Sequence, residues 1–419
     1  MSDQKFQGKG AIKFYKHSDL LVLFGLIMLY WSQALYFIAG NKMRLLSLVC
    51  GLGLIVAAVF LRARWRIVKY TPFILITGVY FCMLAFLTKF QGHIIWYDSN
   101  QLIFCAVCLV LFWMGYILAL EKRHDFVSAD QWSLVGFAGI AIVCLMAFLR
   151  YVKDISFSGS IRGFGESALN PVGVAYANTC LCLIFLVIGC SNRRLFSKTI
   201  HLIAASLALG VVLSAASRGA VIWGACSVVY FLLLHRSLRY FSIKNISYVV
   251  GACIILIPII TIIYFTNYGI AERIEILFMR FEQMTLSLFG GGKAPVDLST
   301  SARQFYWDHY ITTFENWILL GEQGYTGYPH NQWLEILARF GLLGVPLLVL
   351  SIFLFVNLGF NTLFKRVRPD LEYSVITVLF VFGYLQSMTS LTLQANRVLW
   401  LGFGYVLGVF IVRRTQRMQ

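Results

Sequence analysis

Residues 200–234 read IHLIAASLALGVVLSAASRGAVIWGACSVVYFLLL. An apolar run of that length is about twice what one helix needs to cross a hydrocarbon core of about 30 Å. A single arginine, Arg218, interrupts it in the tripeptide SRG at 217–219. Read as two spans, 200–216 and 219–234, the stretch turns the chain back across the membrane. Read as one bent helix, it inverts the topology of everything downstream. The distribution of basic residues decides between the two, because lysine and arginine collect on the cytoplasmic side.

The composition puts the chain in a membrane. It is 59% hydrophobic, 16% aromatic and only 13% charged over 419 residues, and its mean hydropathy is +0.76. A soluble domain carries about 25% charged residues. Long apolar runs recur from end to end, without the period-two alternation of a membrane barrel. The expected fold is an all-α polytopic membrane protein of about 12 transmembrane helices, at 20–38, 45–61, 72–88, 101–119, 132–149, 171–190, 200–216, 219–234, 248–265, 340–357, 373–391 and 398–412. The expected organisation is one integrated membrane domain: a bundle of nine spans over 1–265, a large periplasmic loop over 266–335, and three spans over 336–419. The N-terminus is polar and basic, with no small-residue cleavage pattern, so a removable signal peptide is not expected.

With both termini in the cytoplasm, the inside segments include KFQGKGAIKFYK, RARWRIVK, EKRHD, SNRRLFSK, HRSLRYFSIK, FKRVRPD and RRTQR. They hold most of the lysine and arginine. One bent helix over 200–234 would put SNRRLFSK and HRSLRYFSIK on opposite faces, so two spans are expected. The net charge of +17 is then a topology signal, and no nucleic-acid partner is expected. The ten cysteines all lie in apolar runs. Cys105 and Cys108 have CxxC spacing inside FCAVCLVLF, without the second pair of thiolates that a zinc site usually uses. No metal and no cofactor are expected.

The outer segments carry the polar residues that could do chemistry. Within 266–335, IAERIEILFMRFEQMTLSLF has Ile274, Ile276, Leu277 and Phe281 at helical spacing and predicts an amphipathic helix lying on the membrane. GGGKAP ends it, and STSARQFYWDHYITTFENWILLG predicts a second helix, capped by Ser299, Thr300 or Ser301. Arg303 and Trp307, four apart, share one face of that helix, where the indole is placed to shelf the guanidinium. Arg218, at the tip of two spans, is an ionisable group in an expensive place and so a functional candidate. Arg162 lies among glycines in SIRGFGESALN, beside Asn170, and Arg397 flanks the last span. His330 and Asn331 follow Pro329 at the head of a helix. A neutral imidazole there can take a proton from a hydroxyl. His309 is its rival, between Asp308 and Tyr310. Glu335 and Arg339, four apart, are expected to pair with each other.

No D-x-D pair, Walker A sequence or Ser-His-Asp set accompanies these residues. Several arginines and one histidine suit an anionic substrate activated without metal, because arginine holds phosphate through two parallel hydrogen bonds and keeps its charge. A lipid-linked diphosphate sugar is such a substrate. Its diphosphate is a good leaving group, and arginines would stabilise the charge that grows on it.

Four motifs carry a resemblance: RGFGESALNP at 162–171, SRGA at 217–220, SARQFYW at 301–307 and PHNQWLEILARFGLLG at 329–344. With them the chain resembles the O-antigen ligase and O-antigen polymerase superfamily of bacterial inner-membrane glycosyltransferases. The resemblance implies a metal-independent transfer of a glycan from an undecaprenyl diphosphate-linked oligosaccharide to a sugar hydroxyl on the periplasmic side. It implies that Arg218 and Arg303 grip the diphosphate and that His330 activates the acceptor. Arg162, Asn170 and Asn331 are further candidates for substrate binding. The acceptor would be another lipid-linked repeat in a polymerase, or lipid A-core in a ligase. The short stretch between Arg303 and His330 leans to polymerase. Membrane lipids are the other expected partners, and lipopolysaccharide assembly is the expected setting. The non-enzyme alternatives are a 12-span transporter and a lipid-linked sugar flippase, which would carry repeated halves or charges along a transverse path.

Overall fold

The computed structural model describes residues 18, 20–29, 46–61, 70–90, 100–121, 171–192, 194–214, 217–235, 268–289, 298–322, 329–364, 369–390 and 396–418. All regular structure among them is helical. The helices are α1 (Leu20–Leu29) and α2 (Leu46–Leu61), then α3 (Thr71–Phe90), α4 (Asn100–Leu120), α5 (Pro171–Ser191), α6 (Leu195–Ser214) and α7 (Arg218–His235). There follow α8 (Tyr268–Phe289), α9 (Leu298–Thr312), α10 (Phe314–Trp317), α11 (Gln332–Phe340), a 3-10 turn at Gly341–Gly344, α12 (Val345–Phe364), α13 (Leu371–Ser387) and α14 (Arg397–Met418). The protein is a multi-spanning helical membrane protein.

The expectation of about twelve spans is corrected. Among the described residues, four helices are long and apolar enough to cross a membrane: Leu195–Leu213, Arg218–His235, Gln332–Phe364 and Arg397–Thr415. The other apolar helical stretches among the described residues have 10–17 residues. Hydropathy counts apolar side chains, whereas a crossing needs an apolar surface and an unbroken helix together. The expected span 373–391 shows the difference. Its helix stops at Ser387 and passes into a turn in which Ser390 N–H reaches back to Gln386 O, 2.9 Å away. The expected spans 132–149 and 248–265 lie outside the described residues. At 200–234 the chain does break in two, with α6 ending at Ser214 and α7 starting at Arg218, each long enough to span.

The chain forms two compact units. The first comprises Met1–Arg62, Arg123–Phe278 and Val367–Val378, and the second Ala63–Lys122, Met279–Arg366 and Leu379–Gln419. In the first, α5 and α6 form an antiparallel hairpin. Its corner is tied by Asn192, whose Nδ2 donates to Ser197 Oγ (2.6 Å) and whose Oδ1 accepts from Arg194 N–H (3.2 Å). Helix α7 packs on α5, and its last residue, His235, meets Ser374 Oγ at 3.0 Å.

In the second unit the tightest pair is α4 with α14. A Cβ on Gly115 would collide with the Leu401 carbonyl, and one on Gly404 with the Phe112 carbonyl. Small residues let two backbones touch where lipid supplies no hydrophobic drive between helices. The contacts of Phe112 with Gly404 and of Tyr116 and Ala119 with Gly408 advance together along both helices, so α4 and α14 run parallel. Helix α3 is antiparallel to α4. Trp113 Nε1 donates to Thr77 Oγ1 (2.8 Å), and Tyr70 OH donates to Glu121 Oε1 (2.5 Å) at the end of α4. Helices α13 and α14 form a hairpin closed by Asn396, whose Nδ2 donates to Gly383 O (2.6 Å) while its Oδ1 caps Leu399 N–H (3.2 Å). Buried Arg397 follows as the first residue of α14.

The bundle of the second unit therefore has two distinct ends. Glu121 and the arginines Arg413 and Arg414 of α14 lie at one. The end of α13 and the start of α14 lie at the other, about 24 Å away along α14.

Candidate functional site

The segment from α9 to α11 builds the site. Helix α9 starts at Leu298, so Ser299, Thr300 and Ser301 stand inside its first turn; the helix begins earlier than the expected caps. Trp317 and Tyr310 are buried against Ala338 of α11, and Trp317 Nε1 donates to Tyr310 O (3.1 Å). This small aromatic core ties α9 and α10 to α11. Gly341 has φ +51°, and a Cβ there would strike the Leu319 and Ile318 carbonyls. The chain thus closes over α11 only with glycine at that position.

His330 is held from both sides. Its own φ is +51°, a left-handed backbone that costs a non-glycine residue about 1–2 kcal/mol. Upstream, Trp307 of α9 donates its indole N–H to Pro329 O at 2.6 Å, on the peptide that leads into His330. Downstream, Asn331 is extended and caps α11, its Oδ1 accepting from Trp333 N–H (2.9 Å) and Leu334 N–H (3.2 Å). Gln332 Oε1 then accepts from Ser387 Oγ, and Trp333 Nε1 donates to Tyr384 OH (3.0 Å). Both partners belong to the C-terminal part of α13. His330 therefore sits at the end of the bundle opposite Arg413 and Arg414.

Helix α9 also brings Arg303 to His330. Burial first, and then the nearby Arg303 guanidinium, push the His330 imidazole down to about 4. At neutral pH the ring is uncharged, and a neutral imidazole is the form that can act as a base. Trp307, singled out as a shelf for Arg303, spends its indole N–H on the turn before His330. Asn331, a candidate substrate ligand, also caps α11 through its Oδ1. His309, the rival imidazole, meets Glu322 Oε1 at 2.9 Å. Glu335 and Arg339 do pair, at 3.1 Å, and both are buried. Removing one partner of such a pair strands a buried charge, at a cost of about 3–5 kcal/mol.

Arg218 belongs to the first unit. It is the first residue of α7, half-buried behind a buried Ser217 whose carbonyl accepts from Val221 N–H (3.2 Å). Arg162 and Asn170 lie outside the described residues. Among the described residues no group of three or more His, Cys, Asp or Glu side chains is placed to hold a metal ion. The supporting groups Ser387 and Tyr384 carried no signal in the sequence, since each acts through one hydrogen bond to a residue more than fifty positions away. No protein-family model, curated protein or solved structure matches the chain.

Proposed function

We propose that this protein is a membrane glycosyltransferase that moves a glycan from an undecaprenyl diphosphate donor to a sugar hydroxyl at the periplasmic face of a bacterial inner membrane. The observation that carries the reading is the pairing of His330 with Arg303: an uncharged imidazole on a doubly held turn, within electrostatic reach of a guanidinium. In the reaction, His330 takes the proton of the acceptor hydroxyl as its oxygen attacks the anomeric carbon. The bond from that carbon to the donor phosphate breaks, and the diphosphate leaves with the electron pair. Arg303 stabilises the charge that accumulates on it; the diphosphate grip that the resemblance implies for Arg218 is left to substitution of that residue. Binding the anionic donor screens Arg303 and so raises the basicity of the imidazole when it is needed. The charge rule supports the side: basic ends face the cytoplasm, so the Arg413 and Arg414 end lies inside and the His330 end outside.

The compact stretch between Arg303 and His330 favours a second lipid-linked repeat as acceptor, which makes the activity an O-antigen polymerase. Deleting the gene and staining the lipopolysaccharide tests this. Core carrying one repeat is the expected pattern. Bare core with free lipid-linked polymer moves the acceptor to lipid A-core and makes the protein a ligase. Unaltered lipopolysaccharide rejects the proposed role in its assembly.

A further inference from the structure

The turn at Ile318–Gly321, between α10 and α11, is apolar and outward-facing: Leu319 is 66% exposed and Leu320 58%. Leu342, 53% exposed, adjoins it, its N–H pointing to Leu319 O at 3.3 Å. In water three such leucines side by side would be an uncovered patch. Their depth in the bundle says what covers them.

The neighbouring Leu343 carbonyl accepts from Tyr80 OH of α3 at 2.7 Å. The apolar stretch of α3, Thr71–Leu87, continues for about seven residues, or about 10 Å, past Tyr80 toward the His330 end. Met83 and Phe86 are exposed along it. The turn therefore lies level with an apolar stretch of helix and well short of its end. Leu342 also heads the outward stripe of α12, which continues through exposed Val349, Phe353, Val356 and Phe360 at helical spacing. That stripe belongs to a helix long and apolar enough to span.

The backbone of the turn fits the same place. Irregular chain at membrane depth is tolerated only when its polar groups are satisfied internally. Ile318 N–H bonds to Phe314 O (3.1 Å), Gly321 N–H to Trp317 O (2.8 Å) and Glu322 N–H to Ala338 O (2.7 Å). Leu319 O takes the Leu342 N–H. Three N–H groups and one carbonyl at or beside the turn are thus bonded within the chain.

We propose that the Ile318–Gly321 turn is a re-entrant wedge whose Leu319 and Leu320 side chains seat among the acyl chains of the surrounding lipid, pinning the α9–α11 segment to the bilayer. The inference does not depend on the proposed glycosyl transfer and holds or fails without any activity being measured.

The test uses the full-length protein in lipid nanodiscs. A fluorescent amino acid is incorporated in place of Leu320 and, separately, in place of Gln304, an exposed residue of α9. Quenching is compared for nitroxide carried on the acyl chain and on the headgroup. The expected result is several-fold stronger quenching by the acyl-chain nitroxide than by the headgroup nitroxide at position 320, and the reverse order or none at 304. Quenching at 320 that follows position 304 overturns the proposal. A second measurement needs no substitution: a lipid-soluble photoreactive reagent, followed by mass spectrometry, labels the 318–320 peptide as heavily as the α12 stripe. A peptide left unlabelled, whether because it is in water or because a second copy or partner protein covers it, also overturns it.

Discussion

Arg218 and His330 both stand at the head of a helix where an apolar run is interrupted, yet the two heads are built differently. At Arg218 one helix ends at Ser214 and the next starts at Arg218 itself, its first turn closed by the bond from Val221 N–H to Ser217 O. At His330 the backbone is forced left-handed and fastened by an indole on one side, a double cap on the other, and two side-chain bonds to α13. Strain persists only where the surroundings over-determine it, and such places concentrate at sites that work. The histidine stands on a strained, multiply fastened turn, whereas the arginine stands on helical backbone as the first residue of α7.

The largest way to break this comparison is to remove the imidazole. His330→Ala is expected to lower transfer by about 10²–10⁴-fold while the protein still inserts. Glycan laddering in cells and transfer by purified protein measure it, and normal laddering would reject a catalytic imidazole. Next come the arginines. Arg303→Lys and Arg218→Lys keep the charge but lose the two-pronged grip on phosphate, and each is expected to cost about 10²-fold in kcat/KM. Full activity in Arg218→Lys would leave Arg218 as a residue that merely begins its helix.

A smaller effect sharpens the role of the indole. Trp307→Phe removes one hydrogen bond, worth about 1 kcal/mol, and loosens Arg303 from the turn that carries His330. Activity should fall by about fivefold, and the pH profile should shift. In the native protein a base held down at about 4 is uncharged at pH 7 and protonates only as pH falls through that value, so activity should survive mild acid. With burial and the arginine's influence relaxed, the acid limb moves up toward the ordinary imidazole value of about 6.5. An acid limb unchanged in Trp307→Phe would mean that the indole packs but does not position. The smallest expected change is Asn331→Ala, which removes the cap of α11 at a cost of about 1 kcal/mol in stability. Thermal unfolding in detergent reads it, and a loss of substrate affinity larger than that would show that Asn331 binds substrate as well as capping α11.

Much of this was legible in the one-dimensional pattern, and the failures have physical causes. The i,i+4 spacing of Glu335 and Arg339 announced their pairing, because residues four apart on a helix are neighbours whatever surrounds them. The same rule put Arg303 and Trp307 on one face. What the indole bonds to was not legible, since Pro329 is twenty-two residues away. The left-handed φ of His330 gave no sign either, because histidine does not advertise it as glycine would. The span count failed because apolar composition does not say where a helix stops, as at Ser387.

From its sequence alone this chain was bound to be helical, multi-spanning and basic at chosen edges, because lipid leaves an exposed backbone few other ways to satisfy its hydrogen bonds. Only the tertiary structure decided that α4 and α14 run parallel along a glycine seam, and that His330 and Arg303 meet at the opposite end of that bundle from Arg413 and Arg414. Those outcomes depend on contacts between residues far apart in the chain, which local pattern does not encode.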